Sequence, residues 1–298
     1  MRVRTLAVGL LVGGLALTAC GKEGTPSNPA GGGPSTTNAV ETNVTVAGSA
    51  TFDKIKSRGQ VIIGVKEDQP GLGFKDATTN KYSGFDIEIA KLVAAKLGFG
   101  EDKIKYQTIP SAGREAGIVN GTVDYYVGTY TINAKRKEQI SFAGPYFVAG
   151  QDLLVRKDDT SITSKDTLKG KKVCSVTGST PIQRVRDQNL TEASNIVEFQ
   201  NYSQCVDKLL TKEVDAVTTD DAILKGYAAQ EPDKLKVVGK TFSQEPYGIG
   251  LPKDDKALRD KVNDILQKAI DDGTWQSIYD STLGKSGAKA DKPTLDRY

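Results

Sequence analysis

The chain contains no histidine. That removes the commonest general base, any Ser-His-Asp triad and most catalytic zinc sites. Cysteine is scarce as well. Only Cys20, Cys174 and Cys205 occur, and no CxxC spacing is available for a zinc ribbon or a thioredoxin-like motif. A basic stripe is also missing. The net charge of the 298 residues is +3, the lysines and arginines are dispersed, and Lys135-Arg136-Lys137 is too short a patch for a nucleic-acid footprint. No second long apolar run follows the first twenty residues, so a receptor with a cytoplasmic half is not expected. What remains is a globular composition, 38% hydrophobic and 26% charged, long enough for one or two domains with real cores.

The N-terminus sets the expected compartment. Arg2 and Arg4 precede an apolar run from Leu6 to Leu17, too short for a comfortable membrane span but suited to a signal peptide. Leu17-Thr18-Ala19-Cys20 resembles a bacterial lipobox, in which the cysteine is acylated and begins the mature chain. Residues 1–20 are therefore expected to be a lipoprotein signal peptide with Cys20 as the lipidation site. Each buried acyl CH₂ adds about 0.8 kcal/mol of membrane affinity, so several chains anchor firmly. Residues 21–51, rich in Gly, Pro, Ser, Thr and Asn over their first half, read as a flexible tether.

Beyond the tether, strand-like and helix-like segments alternate. Val61-Ile62-Ile63-Gly64-Val65 reads as a buried strand. Phe85, Ile89, Leu92, Val93 and Leu97 share one helical face, closed by Gly98. Further strands are expected over 123–127, 152–155, 172–176, 196–199, 216–219 and 235–238, and helices over 202–211 and 258–270. Such alternation implies open sheets covered by helices, with ligands outside the carboxyl ends of strands.

Several segments carry a resemblance. They are Tyr82-Ser83-Gly84-Phe85-Asp86, Asn120-Gly121-Thr122-Val123-Asp124, Thr131-Ile132 with Arg136, Ser141-Phe142-Ala143-Gly144-Pro145-Tyr146, Leu168-Lys169-Gly170-Lys171-Lys172-Val173 and Glu245-Pro246-Tyr247-Gly248-Ile249. In this order, over about residues 52–284, they resemble the family 3 extracellular solute-binding proteins that serve polar amino-acid ABC importers. Within that family, Lys66 to Gly73 looks most like the glutamate-binding lipoproteins of actinobacteria. The resemblance implies a type 2 periplasmic-binding fold of two α/β lobes with open mixed sheets and two hinge strands. Lobe 1 would span 52–148 and 242–284, lobe 2 would span 149–241, and 285–298 would be a C-terminal tail. It implies no cofactor and no catalysis.

A free amino acid brings a carboxylate, an ammonium and a side chain, and each buried charge must be paired. By resemblance, Arg136 grips the α-carboxylate through a planar fork. Thr131 assists with its N–H and hydroxyl and Thr129 with its carbonyl; if that segment is extended, Tyr130 between them faces elsewhere. Thr180, in Thr177-Gly178-Ser179-Thr180-Pro181 at a helix start, contacts the same carboxylate. Asp220 meets the ammonium, while Asp221 caps the following helix. Ser111-Ala112-Gly113-Arg114 resembles the Ser-x-x-Arg of acidic amino-acid binders, where Arg114 meets a side-chain carboxylate, with Lys66 and Tyr202 beside it. The aromatic wall that many members place after the first strand is replaced here by Asp68-Gln69-Pro70-Gly71-Leu72-Gly73, so backbone and small side chains would line it.

After lipidation of Cys20, two thiols remain in an exported chain, and a Cys174–Cys205 disulfide is expected. The expected partners are free glutamate, with aspartate second, the permease subunits of an ABC importer, and the membrane through the lipid anchor. The chain is expected to be a monomer that binds no nucleic acid. Two other classes fit less of the sequence: a ligand-sensing partner of a membrane receptor, and a dehydratase on the same scaffold, which without histidine would need a carboxylate, Tyr or Lys as its acid or base.

Overall fold

The computed structural model describes residues 39–286 and 290–298. The signal peptide, the lipobox and Cys20 lie outside them. Among the described residues no helix is long and apolar enough to cross a membrane.

Two five-stranded sheets organise the chain. In the first, Ile104–Thr108, Val61–Val65, Tyr125–Tyr126, Glu245–Pro252 and Ile140–Ala149 lie side by side in that order. The first three are parallel, and Glu245–Pro252 runs antiparallel to both its neighbours. In the second, the order is Ile196–Phe199, Val173–Val176, Ala216–Asp220, Gln151–Arg156 and Leu235–Val237. Here too three strands are parallel, and Gln151–Arg156 is antiparallel to those beside it. The continuous apolar runs follow from this, because parallel strands covered on both faces have no solvent side. This is the two-lobed α/β architecture expected from the sequence.

The chain passes between the sheets twice. Ile140–Ala149 leads through Gly150 into Gln151–Arg156, and the chain returns after Leu235–Val237 into Glu245–Pro252. The crossings run close together. A Cβ on Gly150 would stand 2.8 Å from Thr241 Cβ and 3.0 Å from the Ser243 carbonyl oxygen, so only glycine fits there. In the first lobe an aromatic cluster holds the helix Phe85–Lys96 to the C-terminal helices. Phe85 meets Tyr146, Phe147, Trp275 and Tyr279, and the Trp275 indole donates to the Tyr146 carbonyl at 2.8 Å. In the second lobe a Cys174–Cys205 disulfide ties the strand Val173–Val176 to the helix Tyr202–Leu210. Closing a loop of this length stabilises by roughly 3–4 kcal/mol in the chain-entropy account.

The expected extent of the tether needs correction. The stretch placed in the tether is packed from Glu41 onward: the Glu41 N–H donates to the Ala95 carbonyl, Val46 is buried, and the helix Ala50–Arg58 begins at Ser49, whose hydroxyl accepts from the Phe52 N–H. The composition of 21–43 hid the apolar Val44 and Val46 that follow. Residues 290–298, the end of the expected C-terminal tail, are docked. The Asp296 N–H donates to the Gly144 carbonyl, and the Phe142 N–H donates to the Tyr298 hydroxyl. They cover the edge strand Ile140–Ala149, whose backbone would otherwise be open to pairing.

Candidate functional site

The first-lobe wall of the cleft is a chain of buried polar groups. Lys66 follows the strand Val61–Val65, and its ammonium donates to the Ser111 hydroxyl at 2.7 Å. The short turn Ser111–Gly113 leads into the helix Arg114–Val119. Arg114 Nε donates to the Ser111 carbonyl and Nη1 to the Thr129 carbonyl, both at 3.2 Å. Arg136 Nη1 donates to the Thr131 carbonyl at 2.7 Å, and Nε faces Glu115 at 3.2 Å. Tyr130 does not face elsewhere: its ring lies against both guanidinium groups, 4.2 Å from that of Arg114 and 4.9 Å from that of Arg136. Such stacking is a favourable way to desolvate arginine.

Three cations thus share one wall, each more than nine-tenths buried. Burial, aided by the Arg114 charge, pushes the Lys66 ammonium down to about 7. The same causes lower Arg136 to about 10. Thr129 has a left-handed backbone, φ 44°, a conformation uncommon for a residue with a Cβ. Asp86 holds it there by accepting the Thr129 N–H at 3.0 Å and the Tyr146 hydroxyl at 2.8 Å. Burial raises Asp86 to about 6 against these donors.

The second-lobe wall is sparser. Thr180 opens the helix Thr180–Asp187, with Ser179 as its cap and Pro181 in the first turn. Asp220 ends the strand Ala216–Asp220. Its Oδ2 accepts from the Tyr247 hydroxyl at 2.7 Å, while Oδ1 has no partner among the described residues. Burial, with the nearby Glu245 charge, lifts this carboxyl to about 7. Tyr202 is buried at the start of its helix, and burial together with Asp220 raises its phenol. Asp221 does not cap the helix that follows. It is that helix's first residue, and its carboxylate accepts from the Gly150 N–H at the crossing.

The walls meet. Arg136 Nη2 donates to the Gly178 carbonyl at 3.1 Å. Asp68 receives the Ser203 N–H and the Tyr227 hydroxyl. Gly178 and Gly226 permit the approach: a Cβ on the first would stand 2.7 Å from Ala112 Cα, and on the second 2.3 Å from the Pro70 carbonyl oxygen. Behind them Glu245, fully buried, accepts from Thr131 and Thr180 at 2.9 and 2.8 Å and pairs with Arg184 at 2.8 Å. The nine candidate ligand contacts therefore fall on two facing walls joined by these bonds. Among the described residues no cluster of His, Cys, Asp or Glu is placed to hold a metal ion.

Sequence reasoning missed Glu245, Tyr247 and Gln69. Glu245 and Tyr247 stood inside a quoted motif, and a charge at the start of the apolar strand Glu245–Pro252 was the available signal. Gln69 lies in the stretch expected to offer only backbone and small side chains, yet it is fully buried.

A cleft between two α/β lobes, walled by three buried cations and one half-satisfied carboxylate, has the make-up of a receptor for a small polar solute. The chain belongs to the bacterial extracellular solute-binding proteins, family 3, which match it over residues 61–285. It is similar to a glutamine-binding protein of Geobacillus stearothermophilus, 41% identical over 85% of this chain and 92% of that one. It is similar to the same degree, 41%, to a glutamate-binding protein of Corynebacterium glutamicum, over 79% of this chain and 82% of that one. Among solved structures it resembles an ancestral arginine-binding protein bound to glutamine, 38% identical, with a TM-score of 0.71 over 76% of this chain and 99% of that one. The chain is an extracytoplasmic solute-binding subunit of an ABC amino-acid importer, taking a polar or acidic amino acid, and it is a binder rather than an enzyme.

Proposed function

We propose that the protein captures glutamate, with aspartate second, for an ABC importer, and that it does so from a lipid anchor on Cys20. The observation that carries the ligand is the cluster of Lys66, Arg114 and Arg136 on one wall, facing Asp220, whose Oδ1 has no partner among the described residues. Asp220 and Arg136 match the ammonium and α-carboxylate of any amino acid. Arg114 and Lys66 leave positive charge for one carboxylate more, and one of the similar relatives, from Corynebacterium glutamicum, binds glutamate by name. A neutral side chain would leave those cations desolvated without an anion. With the lobes together Arg136 donates Nη2 to the Gly178 carbonyl of the opposite lobe, a bond that opening breaks, so the open first lobe presents the guanidinium to an arriving ligand. A ligand that then touches both lobes favours closure by its differential affinity, and the permease reads the closed form.

Glutamine is the second reading. Lys66 titrates at about 7, so a neutral amine beside a neutral ligand amide is accessible, and one of the most similar relatives binds glutamine by name. A thermal-shift panel of free amino acids separates the two. At about 1,000 times its dissociation constant a ligand adds roughly 4 kcal/mol, so glutamate and aspartate should raise the melting temperature above glutamine and asparagine at equal concentration. A panel led by glutamine would remove the glutamate reading. For the anchor, Cys20→Ser should move the protein to the soluble fraction with unchanged affinity; retention in membranes would refute it.

A further inference from the structure

Gln69 is fully buried, and its Nε2 has no hydrogen-bond partner among the described residues. Its backbone is fixed twice. It pairs with Gly73 in a three-stranded ribbon, and its carbonyl accepts the Leu72 N–H across Pro70-Gly71, where Gly71 takes φ 81°. Proline followed by a left-handed glycine is the composition of a tight turn. The side chain is fixed as well, because Oε1 accepts from the Thr129 hydroxyl at 3.2 Å. Thr129 in turn receives Arg114 Nη1 on its carbonyl, and Arg114 and Lys66 meet at Ser111. The amide is therefore the last member of the chain that carries the cations, with its oxygen turned to Thr129 and its NH₂ left over. A buried amide donor without an acceptor costs free energy, and a ligand oxygen can supply the acceptor.

We propose that Gln69 is a specificity-determining residue whose Nε2 donates to the side-chain carboxylate of the ligand. The inference rests on the reading of this cleft as an acidic amino-acid site. It makes the ligand carboxylate the acceptor for one neutral donor and the Arg114 and Lys66 charges together, and a neutral donor adds selectivity for an acceptor-only group without another buried charge. Aspartate, one methylene shorter, would leave this donor unfilled, which ranks it second.

The test is calorimetric titration of the wild type, Gln69→Glu and Gln69→Met with L-glutamate and L-glutamine. Gln69→Glu puts an acceptor where the donor was, and glutamate affinity should fall by about a hundredfold; Gln69→Met should lower it about tenfold, with glutamine changed far less in both. Ligand-free melting temperatures identify any variant that fails to fold, and Gln69→Met alone then decides. Equal changes for the two ligands, or none, would overturn the assignment. So would a selective loss of glutamine, which would mean that the amide is turned with Oε1 toward the ligand. A wild type that binds neither ligand would instead remove the functional reading on which this rests.

Discussion

The two walls of the cleft are built in different ways. The first-lobe wall joins Lys66, Ser111, Arg114, Thr129 and Gln69 through direct hydrogen bonds within one lobe. The second-lobe wall offers a helix start and one carboxylate, and its bonds run mainly to the other lobe, from Asp220 to Tyr247 and from Thr180 to Glu245. A wall satisfied internally keeps its shape when the cleft opens. A wall satisfied across the cleft loses partners on opening. On the proposed reading the first lobe selects the side chain, and the second completes the site on closure.

This contrast fails if general and selective recognition cannot be separated. Asp220→Asn and Arg136→Met should weaken every amino acid together. Breaking one partner of a buried charge pair costs about 3–5 kcal/mol, over a hundredfold in affinity. Titration of both variants with glutamate, aspartate and glutamine checks this, and a loss confined to acidic ligands would place selectivity on the wrong residues.

Closure is tested at Gly226. It sits in the helix Asp221–Gln230, where alanine should stabilise the second lobe by up to about 1 kcal/mol. Yet its added Cβ would meet the Pro70 carbonyl, and overpacking of that kind costs about 1–3 kcal/mol. Gly226→Ala should therefore raise the ligand-free melting temperature slightly while lowering affinity for all ligands by roughly tenfold. Unchanged affinity would mean that the lobes do not close on this contact.

Much of this organisation was legible in the sequence, and the exceptions have physical causes. The strand Ile196–Phe199 is as expected, and Val61–Val65, Val173–Val176 and Ala216–Asp220 lie where β-branched runs placed them. The ribbon of Asp68–Gln69, Gly73–Lys75 and Tyr82–Ser83 was not foreseen, because strands of two or three residues show no periodicity. Gln69 escaped notice because a glutamine before Pro-Gly looks like a surface turn, and its burial depends on Thr129, sixty residues away in sequence. Asp221 was taken for a cap from its type alone; the helix begins one residue earlier, and the carboxylate reaches Gly150 instead.

The smallest expected effect is on pH dependence, and it sharpens the same contrast. Asp220, raised to about 7 chiefly by burial, must ionise to pair with the ligand ammonium. Binding therefore releases a proton at low pH, and every ligand should bind more tightly as pH rises toward about 7. Lys66, lowered to about 7 chiefly by burial, must be protonated to meet a side-chain carboxylate. Glutamate affinity should fall again above about 7, whereas glutamine should show the acid limb alone. Titrations from pH 5 to 9 in buffers of different ionisation enthalpy would report both the limbs and the protons exchanged, with at most about a tenfold change per pH unit on each limb. Parallel profiles for the two ligands would show that Lys66 takes no part in reading the side chain.

The most direct measurement is calorimetric titration of the wild type and of Arg114→Met with glutamate and glutamine. The first-lobe wall, as a reader of side-chain charge, predicts that the wild type prefers glutamate and that Arg114→Met loses over a hundredfold for glutamate while glutamine binding is far less affected. Full preference for glutamate retained in Arg114→Met would contradict the account and move selectivity to Lys66, Gln69 or Tyr202.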